Sequence, residues 1–105
     1  MDRKQYNYVF SPLAEQDLND IFDYISLELD SPQAAEQLIN SIQDTVEKMC
    51  YFPLSRPLLT NKILKKKGYR LIVVKNFNIF YVFENNIIII RRILYGRRDY
   101  ENILR

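Results

Sequence analysis

The chain has 105 residues, with 48% hydrophobic and 27% charged residues, no histidine and a single cysteine, which bounds it to one small globular domain spanning residues 1–105. A lone Cys50 excludes an internal disulfide and a thiolate metal site, and the absence of histidine removes the usual general base, the commonest metal ligand and any Ser-His or Cys-His pair. The formal charge of +2 hides a split: residues 1–50 hold three Lys/Arg against ten Asp/Glu, and residues 51–105 hold twelve against three, so a −7 half precedes a +9 half. A basic half on a compact domain is the electrostatic footprint of a nucleic-acid or acidic-protein partner.

The N-terminus MDRKQ is polar and no apolar run, Ile87 to Ile90 included, is long enough to span a bilayer. No leader, no membrane association and a cytoplasmic location are therefore expected, with no cofactor and no metal.

Tyr6 to Phe10 is aromatic and β-branched, and is expected as a first strand. Ser11-Pro12 is a helix start, with serine as N-cap and proline at the first helical position. Ala14, Leu18, Ile21, Phe22, Ile25 and Leu29 then recur at steps of three and four, with Glu15, Asp17, Asp20 and Asp23 opposite. Ser31-Pro32 repeats the start signal. The second helix places Ala35, Leu38, Ile39, Ile42, Val46 and Met49 on one face. So short a break between two helices demands an antiparallel hairpin, and both stripes must lie on a sheet. Pro53 and Pro57 end the helix and open a loop, Leu54 to Gly68, that carries Arg56 and the run Lys65-Lys66-Lys67.

Three strands close the chain. The first runs from Tyr69 to Val74, and a turn is expected around Phe77. The second reaches Phe83, and Glu84-Asn85-Asn86 forms a tight turn with asparagine suited to positive φ. The third, Ile87 to Tyr95, is nearly continuous in apolar residues and carries the neighbours Arg91 and Arg92, which strand alternation sends to opposite faces. Gly96 breaks this strand, Arg97 and Arg98 follow, and Asp99 starts a short terminal helix. The expected architecture is a two-layer α+β domain: an N-terminal strand, an antiparallel α-hairpin, a three-stranded antiparallel meander and a short C-terminal helix. The helices cover one face of the sheet and the other is left open.

That open face is where chemistry is expected, with Arg70, Arg92, Arg97, Arg98, Tyr69, Tyr81, Tyr95 and Tyr100 as candidates. Arginine grips phosphate in a bidentate fork, and an aromatic ring stacks on an unpaired base. Without histidine, a ribonuclease would hold a pentacoordinate phosphate with Arg and Lys while tyrosine or a carboxylate moves protons. An arginine within an isoleucine strand is costly unless paired or used, and Glu84 or Asp99 is the expected partner if Arg92 is paired.

Five stretches in order, FSPLAEQDLNDIFDYI, FPLSRP, GYRLIVV, FNIFYVF and IIRRILYGRRDYENIL, resemble the RelE/ParE superfamily of toxins from type II toxin–antitoxin systems. The resemblance covers nearly the whole chain. It implies a small growth-arresting toxin, associated with plasmid stabilisation. Its cognate antitoxin would wrap it with a C-terminal segment, and an acidic segment suits the basic half here. RelE-like members cleave mRNA in the ribosomal A site with basic residues on the sheet and an Arg or Tyr near the C-terminus; ParE-like members poison DNA gyrase. Arg70 and Arg98 fall where RelE-like nucleases carry basic residues, but Ile72 and Ile79 occupy two further basic positions. The usual LHGRRD reads Leu94-Tyr95-Gly96-Arg97-Arg98-Asp99, with tyrosine in place of histidine. Arg92 matches the family's strand arginine.

The resemblance therefore gives Arg70, Arg92, Arg98 and Tyr95 as catalytic candidates. Lys65, Lys66, Lys67, Arg97, Arg98 and Tyr100 are the candidates for contact with nucleic acid or target. The long hairpin and the gapped nuclease set favour a ParE-like gyrase inhibitor over a ribosome-dependent mRNA endonuclease or an inactive antitoxin-binding module.

Overall fold

The structure is a computed structural model that describes residues 4–96 and 99–105. It has the α+β order expected: β1 (Asn7–Phe10), α1 (Pro12–Asp23), α2 (Pro32–Met49), a further short helix α3 (Lys62–Lys66), β2 (Arg70–Val74), β3 (Phe77–Glu84), β4 (Ile87–Tyr95) and α4 (Tyr100–Leu104). The four strands form one sheet in the order β1-β4-β3-β2, with β1 parallel to β4 and the other pairs antiparallel.

The helix starts are chemically distinct. Ser11 caps α1, its hydroxyl accepting from the Ala14 N–H at 3.2 Å, whereas Ser31 makes no side-chain cap to α2. The end of the first helix also differs from a simple stripe. Tyr24–Glu28 forms a π-helical turn, closed by the Leu29 N–H on the Tyr24 carbonyl at 3.2 Å. The wider turn rotates the residues beyond it, so Leu29 is exposed while Ile25 still packs on the core. The α2 stripe is buried as its spacing implies, at Ala35, Leu38, Ile42, Val46 and Met49.

The hairpin turns are set by backbone sign. Asn85 and Asn86 both take positive φ between β3 and β4, the requirement of a two-residue turn with the right twist. The β2–β3 turn lies one residue earlier than the sequence suggests, with Lys75 at φ 54° and Phe77 already in β3.

The expectation of an open far face fails. One cluster lies under the α1–α2 hairpin and contains Ile42, Val46, Ile79, Tyr81, Ile88, Ile90 and Ile93. A second cluster lies on the opposite face, where Phe80, Val82 and Leu94 are buried beneath Leu64 of α3 and Leu104 of α4, with Tyr69 and Tyr100 packed in. Phe80 and Val82 on a bare face would present large apolar side chains to water, and burying each is worth about 1.5–3 kcal/mol. α3 and α4 supply that cover. α3 lay within the segment expected to be loop; its start signal is Asn61, whose Oδ1 accepts from the Ile63 and Leu64 N–H groups.

Candidate functional site

The site is organised by a β-bulge in β4. Tyr81 of β3 pairs with Ile90 and Phe80 pairs with Arg92, so Arg91 is an extra residue without a partner on β3. The bulge breaks strand alternation. Ile90 and Ile93 both enter the hairpin-side core, and Arg91 and Arg92 line one pocket on the far side. The two arginines therefore share a face, correcting the expectation that they diverge.

α1 satisfies the backbone that the bulge and the end of β1 leave unpaired. The Ser11 N–H donates to the Ile90 carbonyl at 2.9 Å and the Ser11 hydroxyl to the Arg91 carbonyl at 2.9 Å. Six residues further on, Asp17 Oδ2 accepts from the Ile93 N–H at 2.9 Å and from Arg92 Nε at 2.7 Å, and Oδ1 accepts from Arg92 Nη2 at 3.0 Å. The bidentate bond to Asp17 pushes the Arg92 guanidinium's pKa further up, against a smaller opposing effect of burial. Arg92 is therefore paired, and its partner is neither Glu84 nor Asp99. A signal for this was present in the sequence: Asp17 sits three residues after Ala14 and four before Ile21, on the margin of the buried stripe.

Of the other catalytic candidates, Arg70 and Tyr95 do not converge on Arg92. Arg70 pairs in register with Tyr81, which places it on the hairpin side. There its guanidinium donates to the Arg56 carbonyl. Tyr95 pairs with Phe77, with ring centroids 5.2 Å apart, at the other end of that face. Four strand residues and two strand spacings separate the Arg70 and Tyr95 backbones, roughly 16 Å. Ile72 and Ile79 pair with each other across β2–β3; Ile79 is buried in the hairpin-side core, and Ile72 is half-buried against it at the wall of a recess that also holds Lys48 and Arg56.

Lys65, Lys66 and Lys67 are exposed at the end of α3. Tyr100 is half-buried, its ring 5.1 Å from that of Phe80 in the far-face cluster. Arg97 and Arg98 lie outside the described residues.

The pocket beside the bulge has a volume of about 360 Å³ and is lined by Tyr69, Arg91, Arg92, the first turn of α1 at Pro12 and Leu13, and the last turn of α4 with Arg105. Tyr69 is nearly buried, and that burial pushes its hydroxyl's pKa up, offset in part by Arg91 and Arg92. It is a donor at neutral pH, not a base. Tyr81, fully buried, is likewise raised by burial and donates to the Pro53 carbonyl at 3.2 Å. Among the described residues no group of three His, Cys, Asp or Glu side chains could hold a metal ion, and no helix is long and apolar enough to cross a membrane.

Residues 8–100 match the family model of the ParE toxin of the type II toxin–antitoxin system parDE. Among curated proteins no sequence matches significantly. Among solved structures, the fold is similar to a chain of the chromosomal ParDE toxin–antitoxin system of P. aeruginosa, at 19% identity over 89% of this chain and 98% of that one, with a TM-score of 0.70. It is also similar to a chain of the toxin–antitoxin complex RelBE2 of Mycobacterium tuberculosis, at 14% identity over 88% of this chain and 99% of that one, with a TM-score of 0.59.

Proposed function

This chain belongs to the ParE family of type II toxins, and from that membership we propose that it arrests growth in the cytoplasm by binding and poisoning DNA gyrase, not by cutting mRNA. The observation that carries this choice is that Ile72 and Ile79 are apolar and paired. The two positions where the RelE-like resemblance asks for further cations hold facing isoleucines on the hairpin side of the sheet, Ile79 fully buried and Ile72 half-buried against it. Neither side chain can bind a phosphate, and a cation at the Ile79 position would be desolvated without a partner.

The separation of the other candidates supports the same reading. General acid–base cleavage of RNA needs a proton donor and acceptor within hydrogen-bond reach of one phosphate, whereas Arg92 is held by Asp17 and Arg70 lies far along the sheet from Tyr95. A protein-binding toxin needs only a surface. That surface is the basic half, with Lys65, Lys66 and Lys67 at the end of α3 and Arg97 and Arg98, which follow β4 in the sequence, as target contacts. A cognate antitoxin neutralises it with an acidic C-terminal segment drawn to the same charge.

Inducing the chain alone tests the proposal. The expected result is growth arrest with loss of negative supercoiling and trapped gyrase–DNA complexes. Primer-extension stops within translated codons, with supercoiling intact, would replace gyrase by mRNA as the target. Unimpeded growth would remove the toxin reading itself.

A further inference from the structure

The bulge-side pocket holds cationic capacity that the fold does not consume. Arg92 is spent on Asp17. Arg91 is half-buried, lines the same cavity and has no carboxylate within ion-pair distance among the described residues. Arg105 joins it from just beyond α4, no Asp or Glu side chain among the described residues lines the cavity, and the Tyr69 hydroxyl remains protonated beside both strand arginines. The Ser11 hydroxyl is already committed to the Arg91 carbonyl and the Ala14 N–H. This clamp fixes the Arg91 backbone while leaving its side chain free to bind.

The rest of the wall is apolar: Pro12, Leu13 and Leu104. A nucleic-acid backbone offers phosphates in series and favours an open cationic track. A single recess with one free internal arginine, a phenol donor and aliphatic walls suits a lone carboxylate with an aliphatic neighbour.

We propose that this pocket binds a glutamate or aspartate side chain of an acidic protein segment in which leucine-like residues flank the acid. Arg91 forks onto the carboxylate, Tyr69 donates to it, and the flanking aliphatic side chain lies on Leu13 and Leu104. Within the toxin reading such a segment belongs to the antitoxin. The pocket chemistry does not depend on that reading.

The test is a titration of the full ¹⁵N-labelled chain, followed at the arginine Nε–H signals and the α4 amides. Three probes are used: the peptide acetyl-Leu-Glu-Leu-Glu-Leu-amide, its Glu→Gln counterpart, and a thymidine oligonucleotide. The acidic peptide is expected to shift the Arg91 and Leu104 signals to saturation, with the Gln peptide and the oligonucleotide binding there more weakly. Arg91→Gln should weaken the acidic peptide by about tenfold, with Arg91→Lys intermediate. Unchanged backbone amide signals from the hairpin-side core, at Ile42 and Ile79, in both variants report an intact fold. The proposal is overturned if the oligonucleotide binds this pocket more tightly than the peptide, if the Gln peptide binds equally well, or if Arg91→Gln binds as the parent chain does. Growth arrest on induction is read separately, so losing the gyrase assignment leaves this result standing, and the reverse holds too.

Discussion

Asp17 holds Arg92 by two charge-assisted hydrogen bonds, at 2.7 and 3.0 Å, and its inner oxygen also takes the neighbouring Ile93 N–H. One carboxylate of α1 thus does the work of a strand where β1 has ended, closing the edge of β4 that would otherwise lie unpaired. The Asp17 and Arg92 side chains are 11% and 23% exposed, so water screens the pair only in part.

Removing that carboxylate strands a guanidinium and an amide together. Asp17→Ala is expected to cost about 3 kcal/mol, measured by urea unfolding. Asp17→Asn keeps an acceptor for Ile93 and should cost roughly half as much. A loss below about 0.5 kcal/mol for Asp17→Ala, the scale of a solvated surface pair, would show that the clamp does not hold β4.

The second cluster makes an equally direct prediction. Leu64 is fully buried on a five-residue helix, so Leu64→Ala should destabilise by about 2–4 kcal/mol. Leu104→Ala on the terminal helix should cost less, since so short an end can settle into the gap. If Leu64→Ala unfolds at the parent's urea midpoint, α3 is not the lid that the far face requires.

Much of this was legible beforehand. The β1-α1-α2-β2-β3-β4 order follows from periodicity, the two Ser-Pro starts and the Asn85-Asn86 turn, because each depends on residues adjacent in sequence. The bulge does not. Alternation sends Arg91 and Arg92 apart, and only the contacts from Ser11 and Asp17, some eighty residues away, make the irregular geometry affordable. The lysine run read as loop because α3 is short and its one apolar anchor, Leu64, has meaning only once Phe80 and Val82 are known to need cover. Arg70 illustrates the same limit: its strand was evident, but its face was assigned only by pairing with Tyr81.

Alkaline pH should loosen the fold. Burial raises Cys50 above its ordinary 9.0, with Glu47 adding to the effect, and burial raises Tyr69 and Tyr81 above 10.0. The unfolded chain therefore loses these protons first as pH rises, and the linkage slope is negative. Stability from these groups is intact below pH 9 and declines from there through the tyrosine range. Thermal melts between pH 7 and 11 should show a falling midpoint above pH 9, with a shallower fall in Tyr81→Phe. A flat profile would contradict the burial of all three.

Two substitutions probe the working surface in growth assays, and the second separates a gyrase poison from a nuclease. Arg98→Ala should relieve arrest with either target. Tyr95→Phe removes only a hydroxyl from an exposed ring resting on Phe77 and should leave arrest intact, whereas a nuclease using that phenol as its acid would be disarmed. A fully toxic Arg98→Ala chain would take that residue off the working surface.

The parallel pairing of β1 with β4 joins Tyr8 to Ile88 and Phe10 to Ile90. A nascent chain therefore carries its first strand unmatched until β4, some eighty residues later, has emerged. The sheet closes only at that point, so the strand made first is the last to find its neighbour.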